Sequence, residues 1–260
     1  MITSTERDSY YEHGYLICRQ IFSPEHVAYI KLGVQRIIDQ AKSGEGKDIP
    51  WINKEKGIPE RLSYLLSPDY FQPEIAFTLE ESPIIDIIEG LLEGPVRYSL
   101  AGMLASGDGK GYSLPWHRDL APTEGSGQLT QLIRAARNCC QLNAPLFQDR
   151  YLKIVPGSHI RATSSAEIDT FKNIPNGEMP GELTVELEPG DIVFYNPNLI
   201  HTGYNPEGSF RWTLHYTFWR SEAPHWSLEL KQLEWIENTD FQRYGPRIRT
   251  QFERFVNSPR

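Results

Sequence analysis

Gly190-Asp-Ile-Val-Phe-Tyr-Asn-Pro-Asn-Leu-Ile-His201-Thr-Gly203 is the stretch on which the fold is decided. Ile192–Tyr195 is a short β-prone run, and Asn196-Pro197 forces a turn because proline cannot donate to a ladder. A second short run then delivers His201. The same rhythm extends both ways. Val96–Ala105, Asn138–Asn143, Leu152–Val155 and Leu183–Leu187 precede it, Arg211–Trp219 follows it, and Gly, Pro, Asn and Asp separate the runs. Short strands at such spacing predict an antiparallel sandwich or barrel.

Further out the period changes. Ser23-Pro24-Glu25 combines a capping hydroxyl, a proline at the first helical position and an acid in the first turn. Val27, Ile30, Val34, Ile37, Ile38 and Ala41 then recur at helical spacing, with Gly44 as the stop. Ser82-Pro83 opens a second helix through Ile84, Ile85, Ile87, Ile88, Leu91 and Leu92, ended by Gly94-Pro95. The last forty residues, with Trp226 and Trp235, read as helical and packed outside the strands. The expectation is one domain over 1–260, mainly β with flanking helices (α+β): a helical N-terminal segment over residues 1–95, a β core at about 96–220 and a helical extension over 221–260.

Composition narrows the function. A net charge of −8 and a pI near 5.4 oppose nucleic-acid binding, which draws on a basic surface. No apolar run is long enough to span a bilayer, and the polar start, with Glu6 and Asp8, has no signal-peptide core. Cys18, Cys139 and Cys140 suit reduced thiols in the cytoplasm, the vicinal pair as buried apolar filling. A small-molecule substrate and a monomer or homodimer are expected.

The chemistry sits in Leu114-Pro-Trp-His117-Arg-Asp119, the only His-x-Asp in the chain. Residues two apart in an extended segment point to one side, so His117 and Asp119 can converge on one ion, with His201 as the third ligand. Two histidines and a carboxylate on one face leave positions open, as non-haem Fe(II) oxygenases require, whereas zinc prefers a closed tetrahedron or a third histidine. Ten residues after His201, Arg211, Thr213, His215 and Thr217 alternate with Trp212, Leu214, Tyr216 and Phe218. Alone this reads as a strand with its polar face in water. A barrel holding a dicarboxylate needs the reverse, with Arg211 inward as a forked cation and Thr213 beside it.

These segments also resemble one family. Tyr11-Glu-His-Gly-Tyr-Leu-Ile with Ile21-Phe-Ser-Pro-Glu-His-Val, then Trp116-His117-Arg-Asp119, Val155-Pro-Gly-Ser-His159, and Gly190 through His201-Thr-Gly to Arg211 follow the order found in the phytanoyl-CoA dioxygenase family of Fe(II)/2-oxoglutarate oxygenases. The resemblance implies a double-stranded β-helix (jelly-roll, cupin-like) core. It implies His117, Asp119 and His201 as iron ligands, Arg211 as partner of the distal carboxylate of 2-oxoglutarate, and Gln141 and Thr213 lining the cosubstrate pocket. The chain departs from the pattern at Asp149-Arg-Tyr-Leu-Lys, where the family has a Gly-containing run.

The resemblance thus implies a dioxygenase that takes Fe(II), 2-oxoglutarate and O₂, hydroxylates, desaturates or cyclises a small molecule of natural-product metabolism, and releases succinate and CO₂. Asp119 disfavours halogenation, which needs a small residue at that position. His159 reads as a structural hydrogen-bonding residue, His215 as a neighbour of the site, and His13, His26 and His225 as surface or packing residues. The stretch Ser106 to Arg137 is expected to select substrate, and its Lys110, Arg118, Arg134 and Arg137 would suit an anionic one, although on composition alone a solvated loop is the plainer reading. Two alternatives stay open: a cupin-like metal isomerase or hydrolase, and a ligand-binding jelly roll without turnover.

Overall fold

The computed structural model describes residues 2–43, 61–106, 111–125, 127–226 and 229–260; Gly44 and Lys110 lie outside them. In chain order the elements are α1 (Ser4–His13), β1 (Tyr15–Cys18), α2 (Pro24–Ser43), β2 (Arg61–Ser63), α3 (Pro73–Glu80), α4 (Ile84–Leu92), β3 (Val96–Ser106) and β4 (Tyr112–Ser113). Then come α5 (Gln128–Ala136), β5 (Cys139–Pro145), β6 (Asp149–Val155), α6 (Ser165–Asn173), β7 (Leu183–Leu187), β8 (Ile192–Tyr195), β9 (Ile200–Asn205), β10 (Arg211–Arg220), α7 (Leu233–Glu237) and α8 (Pro246–Asn257).

The strands form two facing antiparallel sheets. One is six-stranded, in the order β1-β8-β5-β10-β3-β2, and the other four-stranded, β4-β9-β6-β7. This is the expected jelly roll. Its larger sheet recruits β1 and β2 from the segment expected to be helical. β1 pairs with β8 from Tyr15↔Tyr195 to Cys18↔Ile192.

β10 decides which way the core faces. Leu214, Tyr216 and Phe218 are buried in the cluster formed with α2, α4 and α8, against Ile30, Ile37, Ile88, Phe252 and Phe255. Full burial of each such side chain stabilises the fold by about 1.5–3 kcal/mol. The strand's other face, with Arg211, Thr213, His215 and Thr217, is also buried and looks into the space between the sheets. The polar side therefore points inward, the reverse of an ordinary amphipathic strand. A register shift between Thr217 and Phe218 sets Leu100 opposite the first and Tyr98 opposite the second, leaving Ser99 as the extra residue of a bulge on β3.

Gly190 shows why the decisive stretch needs a glycine before β8. Its φ of +97° is left-handed, and an added Cβ would stand 2.3 Å from the Phe22 carbonyl oxygen.

Candidate active site

Two hydrogen bonds bring the distant histidines together. His117 N–H donates to the His201 carbonyl at 3.0 Å and His201 N–H to the His117 carbonyl at 3.0 Å, an isolated antiparallel bridge at the end of β9. Asp119 N–H donates to Pro197 O at 3.0 Å, which ties the carboxylate's backbone to the Asn-Pro turn. The result is a cluster in which one ligand atom from each of His117, Asp119 and His201 lies within 4.8 Å of the others. Nε2 of His117 stands 3.6 Å from Asp119 Oδ1, and Nε2 of His201 3.7 Å from Asp119 Oδ2.

The ring tautomers are fixed from behind. His117 Nδ1 lies 2.7 Å from Pro115 O and His201 Nδ1 2.8 Å from Leu199 O. A carbonyl only accepts, so each Nδ1 carries the proton and each Nε2 presents a lone pair inward, as a metal requires. Burial, with His117 nearby, pushes the His201 pKa down to about 4, which keeps it neutral near pH 7. Burial opposes the Asp119 charge, yet His201, His117, His215 and the Gln141 amide together hold its carboxyl below the usual carboxylate range. Two inward lone pairs, an ionised carboxylate and no fourth His, Cys, Asp or Glu in the cluster, among the described residues, fit an open divalent-metal site.

Arg118, between the two ligands, faces the other way. Its buried Nη1 donates to Ser158 O at 2.8 Å and also to Asn198 O, stitching the His-x-Asp segment to the Asn-Pro turn. The expectation that it meets an anionic substrate is therefore corrected, because backbone carbonyls occupy its guanidinium. Arg137 likewise sits outside, 3.7 Å from Glu93 and stacked over Tyr11. Within Ser106 to Arg137, α5 is fastened down by Asn196 Nδ2 to Ala135 O at 3.1 Å and Asn198 Nδ2 to Gln131 O at 3.1 Å.

Arg211 opens β10 with its side chain buried inside the barrel. Its Nε donates to Asp149 Oδ2 at 2.8 Å and its Nη1 to the Tyr112 hydroxyl at 2.6 Å, while Nη2 is buried without a partner among the described residues. Thr213 Oγ1 donates to the same Asp149 oxygen at 2.6 Å. Gln141 reaches the metal cluster instead: its Nε2 donates to Asp119 Oδ2 at 2.8 Å, and its Oε1 is buried and unpartnered among the described residues. Sequence reasoning missed the role of Asp149, which opens the mixed strand Asp149–Val155. Tyr112 gave no signal.

The other histidines fall as expected or nearly so. His159 is buried with Nε2 3.2 Å from Tyr11 O, and His215 lies inside the barrel with Nδ1 2.8 Å from Asn143 Oδ1. His225 is buried beside α8, Nε2 2.8 Å from Phe255 O. Cys139 and Cys140 are buried and unpaired.

Beside the metal cluster lies a cavity of about 460 Å³ with Asp119, Leu120, Gln141 and Pro197 in its wall. Cavities of this size hold small organic ligands. Ser99, the bulge residue of β3, and its neighbour Leu100 also line it.

A sequence model of the phytanoyl-CoA dioxygenase (PhyH) family matches residues 10–209, which contain all three cluster residues. This chain belongs to the phytanoyl-CoA dioxygenase family. It is accordingly a non-haem Fe(II)/2-oxoglutarate-dependent dioxygenase, and the isomerase, hydrolase and non-catalytic alternatives are set aside. Arg211 lies just past the matched segment. Solved structures share the family fold. AviO1 from Streptomyces viridochromogenes Tue57 superposes with a TM-score of 0.63 at 21% identity, covering 86% of this chain and 99% of that one. EctD from S. alaskensis, solved with 2-oxoglutarate and 5-hydroxyectoine, gives 0.65 at 14% identity over 86% and 78%. SnoK, a non-heme alpha ketoglutarate dependent carbocyclase from nogalamycin biosynthesis, gives 0.61 at 16% identity over 86% and 86%. No curated protein matches the sequence. Among the described residues no helix is long and apolar enough to cross a membrane.

Proposed function

We propose that the chain, acting as a single domain in the cytoplasm, hydroxylates, desaturates or cyclises a small molecule of natural-product metabolism, with His117, Asp119 and His201 holding Fe(II) and Arg211 receiving the far carboxylate of 2-oxoglutarate. The observation that carries this reading is one combination: three ligand atoms within 4.8 Å, an orphaned buried guanidinium nitrogen inside the same barrel and a cavity beside the cluster. A site that only held a metal would have no use for Arg211 Nη2. A buried donor left without an acceptor costs about 1–3 kcal/mol, so its retention points to a ligand that supplies one. The relatives support the reaction type, since one is a carbocyclase and another was solved with a hydroxylated product.

When bound, Fe(II) with 2-oxoglutarate and O₂ supplies the oxidising power, with succinate and CO₂ as co-products. The chain's own contribution is placement. The Pro115 and Leu199 carbonyls aim the two imidazoles, and Gln141 Nε2 orients the Asp119 carboxylate. Asp149 and Tyr112 hold the Arg211 plane so that Nη2 faces the incoming carboxylate, with Thr213 steadying Asp149. This geometry supports a carboxylate-orienting role for Gln141 and an indirect one for Thr213 at the cosubstrate pocket. Burial of Arg211, Asp149 and Thr213 excludes water from the contacts among them.

The test is Fe(II)-dependent succinate release from 2-oxoglutarate under O₂. Wild type should release succinate slowly even without substrate. His201→Ala and Asp119→Ala should release none, and Arg211→Gln should raise the KM for 2-oxoglutarate at least about tenfold, the scale of one lost charge-assisted contact. An alanine variant with undiminished turnover would contradict the metal assignment.

A further inference from the structure

The cavity beside the metal cluster holds three charged side chains, and two are already accounted for. Asp119 belongs to the metal cluster. Glu229 is buried and neutralised by Arg97, whose Nη1 and Nη2 reach its two oxygens at 2.6 and 3.0 Å, while Trp226 N–H donates to it at 2.7 Å. The third, Arg61, makes no hydrogen bond or ion pair with any described residue.

Its placement follows from strand pairing. β2 runs antiparallel to β3 with Arg61 opposite Leu104, Leu62 opposite Met103 and Ser63 opposite Gly102. Leu62 is wholly buried in the helix-side core, so Arg61 and Ser63 face the space between the sheets. Gly102 lets β2 come this close, because a Cβ there would stand 2.8 Å from the Leu62 carbonyl oxygen. The Arg61 charge is felt at His215 and Tyr195, both inside the barrel. The cavity wall includes three aromatic side chains, Tyr64, Trp219 and Trp226, alongside polar ones such as Ser63, Gln141 and Thr217. Arg211 and Thr213 are not among the residues that line this wall.

We propose that Arg61 anchors the carboxylate of an anionic substrate whose apolar ring system lies against Tyr64, Trp219 and Trp226, next to the metal cluster. This deepens the oxygenase reading above and rests on it. A half-buried guanidinium in the cavity wall, with no partner among the described residues, is free to take a counter-charge, and the ligand class that matches its fork is a planar anion.

The test needs no turnover. Full-length protein with Fe(II) and saturating 2-oxoglutarate, kept anaerobic, is titrated calorimetrically with 2-naphthoate and with 2-naphthamide, the same rings with and without the charge. Wild type should bind the acid at least about tenfold more tightly than the amide, the scale of one charge-assisted contact. Arg61→Gln should erase that preference while keeping its affinity for the amide, and Arg61→Lys should restore part of it. Because Arg61 pairs with none of the described residues, Arg61→Gln should melt no lower than wild type, whereas a drop of several degrees would assign it a structural role and overturn the proposal. So would an acid preference that survives Arg61→Gln, one that disappears only in Arg211→Gln, or no binding of either ring. Failure of the oxygenase reading shows separately, as a wild type that releases no succinate.

Discussion

Asp149→Asn removes one charge from the pair that holds Arg211 and keeps nearly the same shape. Both side chains are almost fully buried, at 4% and 1% exposure, so water cannot replace the lost carboxylate. Asparagine can still accept from Tyr151 N–H, the partner of Asp149 Oδ1 at 2.9 Å, but its amide hydrogens then face the Arg211 and Thr213 donors. Breaking a buried pair by removing one partner costs about 3–5 kcal/mol, since the remaining charge stays uncompensated. At roughly 2–4 °C per kcal/mol for a chain of this size, the metal-free variant should melt about 6–20 °C below wild type. 2-Oxoglutarate would then be the only counter-charge available to Arg211. With Fe(II) present and O₂ excluded, saturating cosubstrate should therefore raise the melting temperature of Asp149→Asn by more than it raises that of wild type, as mass action on the native state requires. The assay is a pair of far-ultraviolet circular dichroism melts with and without 2-oxoglutarate. A variant that melts with wild type, or gains less from the cosubstrate, would show that Asp149 is not the resident counter-charge of Arg211.

Three further outcomes are expected. Burial lowers the pKa of His159 and His201 to about 4 and of His215 to about 3 from an ordinary 6.5, so the unfolded chain takes up protons before the folded one does. Stability of the metal-free protein should be fully present above about pH 6.5 and decline as pH falls toward 4, read from urea midpoints at successive pH values. Arg118→Met strands the Ser158 and Asn198 carbonyls, and its metal affinity, measured by competition with a chelator, should fall about 10–100-fold, the range seen when groups behind metal ligands are lost. Gln141→Leu deletes the hydrogen bond to Asp119 Oδ2 and should weaken Fe(II) binding about tenfold while the fold persists.

The β7 and β8 strands were readable to the residue, because Leu183–Leu187 and Ile192–Tyr195 are bounded on both sides by chain-breaking residues. β1 was not. Tyr15–Cys18 is four residues, half-buried throughout, and is a strand only because β8 offers an edge. β2 is shorter still and follows Gly102 in the same way. α5 hid inside a stretch rich in Gly, Ser and Thr, where its apolar stripe is brief. α1 and α6 could have been found, since Thr3 with Glu6 and Ser164 with Glu167 are reciprocal caps visible as spacing. The metal cluster was legible because the spacing of His117 and Asp119 is local, and the hinge that brings in His201 is written in Asn196-Pro197. Arg118 was misjudged because sequence shows a cation but not the carbonyls that occupy it.

The departure from the family pattern at Asp149-Arg-Tyr-Leu-Lys falls inside β6, which begins at Asp149 and not at the expected Leu152, while β5 runs on to Pro145. The irregularity is confined to the interval between Asp149 and Leu152, where β6 slips against β7; from Leu152 the register runs cleanly to Val155 against β9, with Ile154 opposite His201. A slip at the strand's start can turn Asp149 inward without moving the residues that position the metal ligand, because side-chain direction alternates from the point where pairing resumes. The substitution is thus tolerated by the ladder and used by the site. It gives Arg211 a counter-charge in the barrel interior and leaves Nη2 without a partner among the described residues, so a departure from the family's pattern shapes the guanidinium that we propose for the cosubstrate.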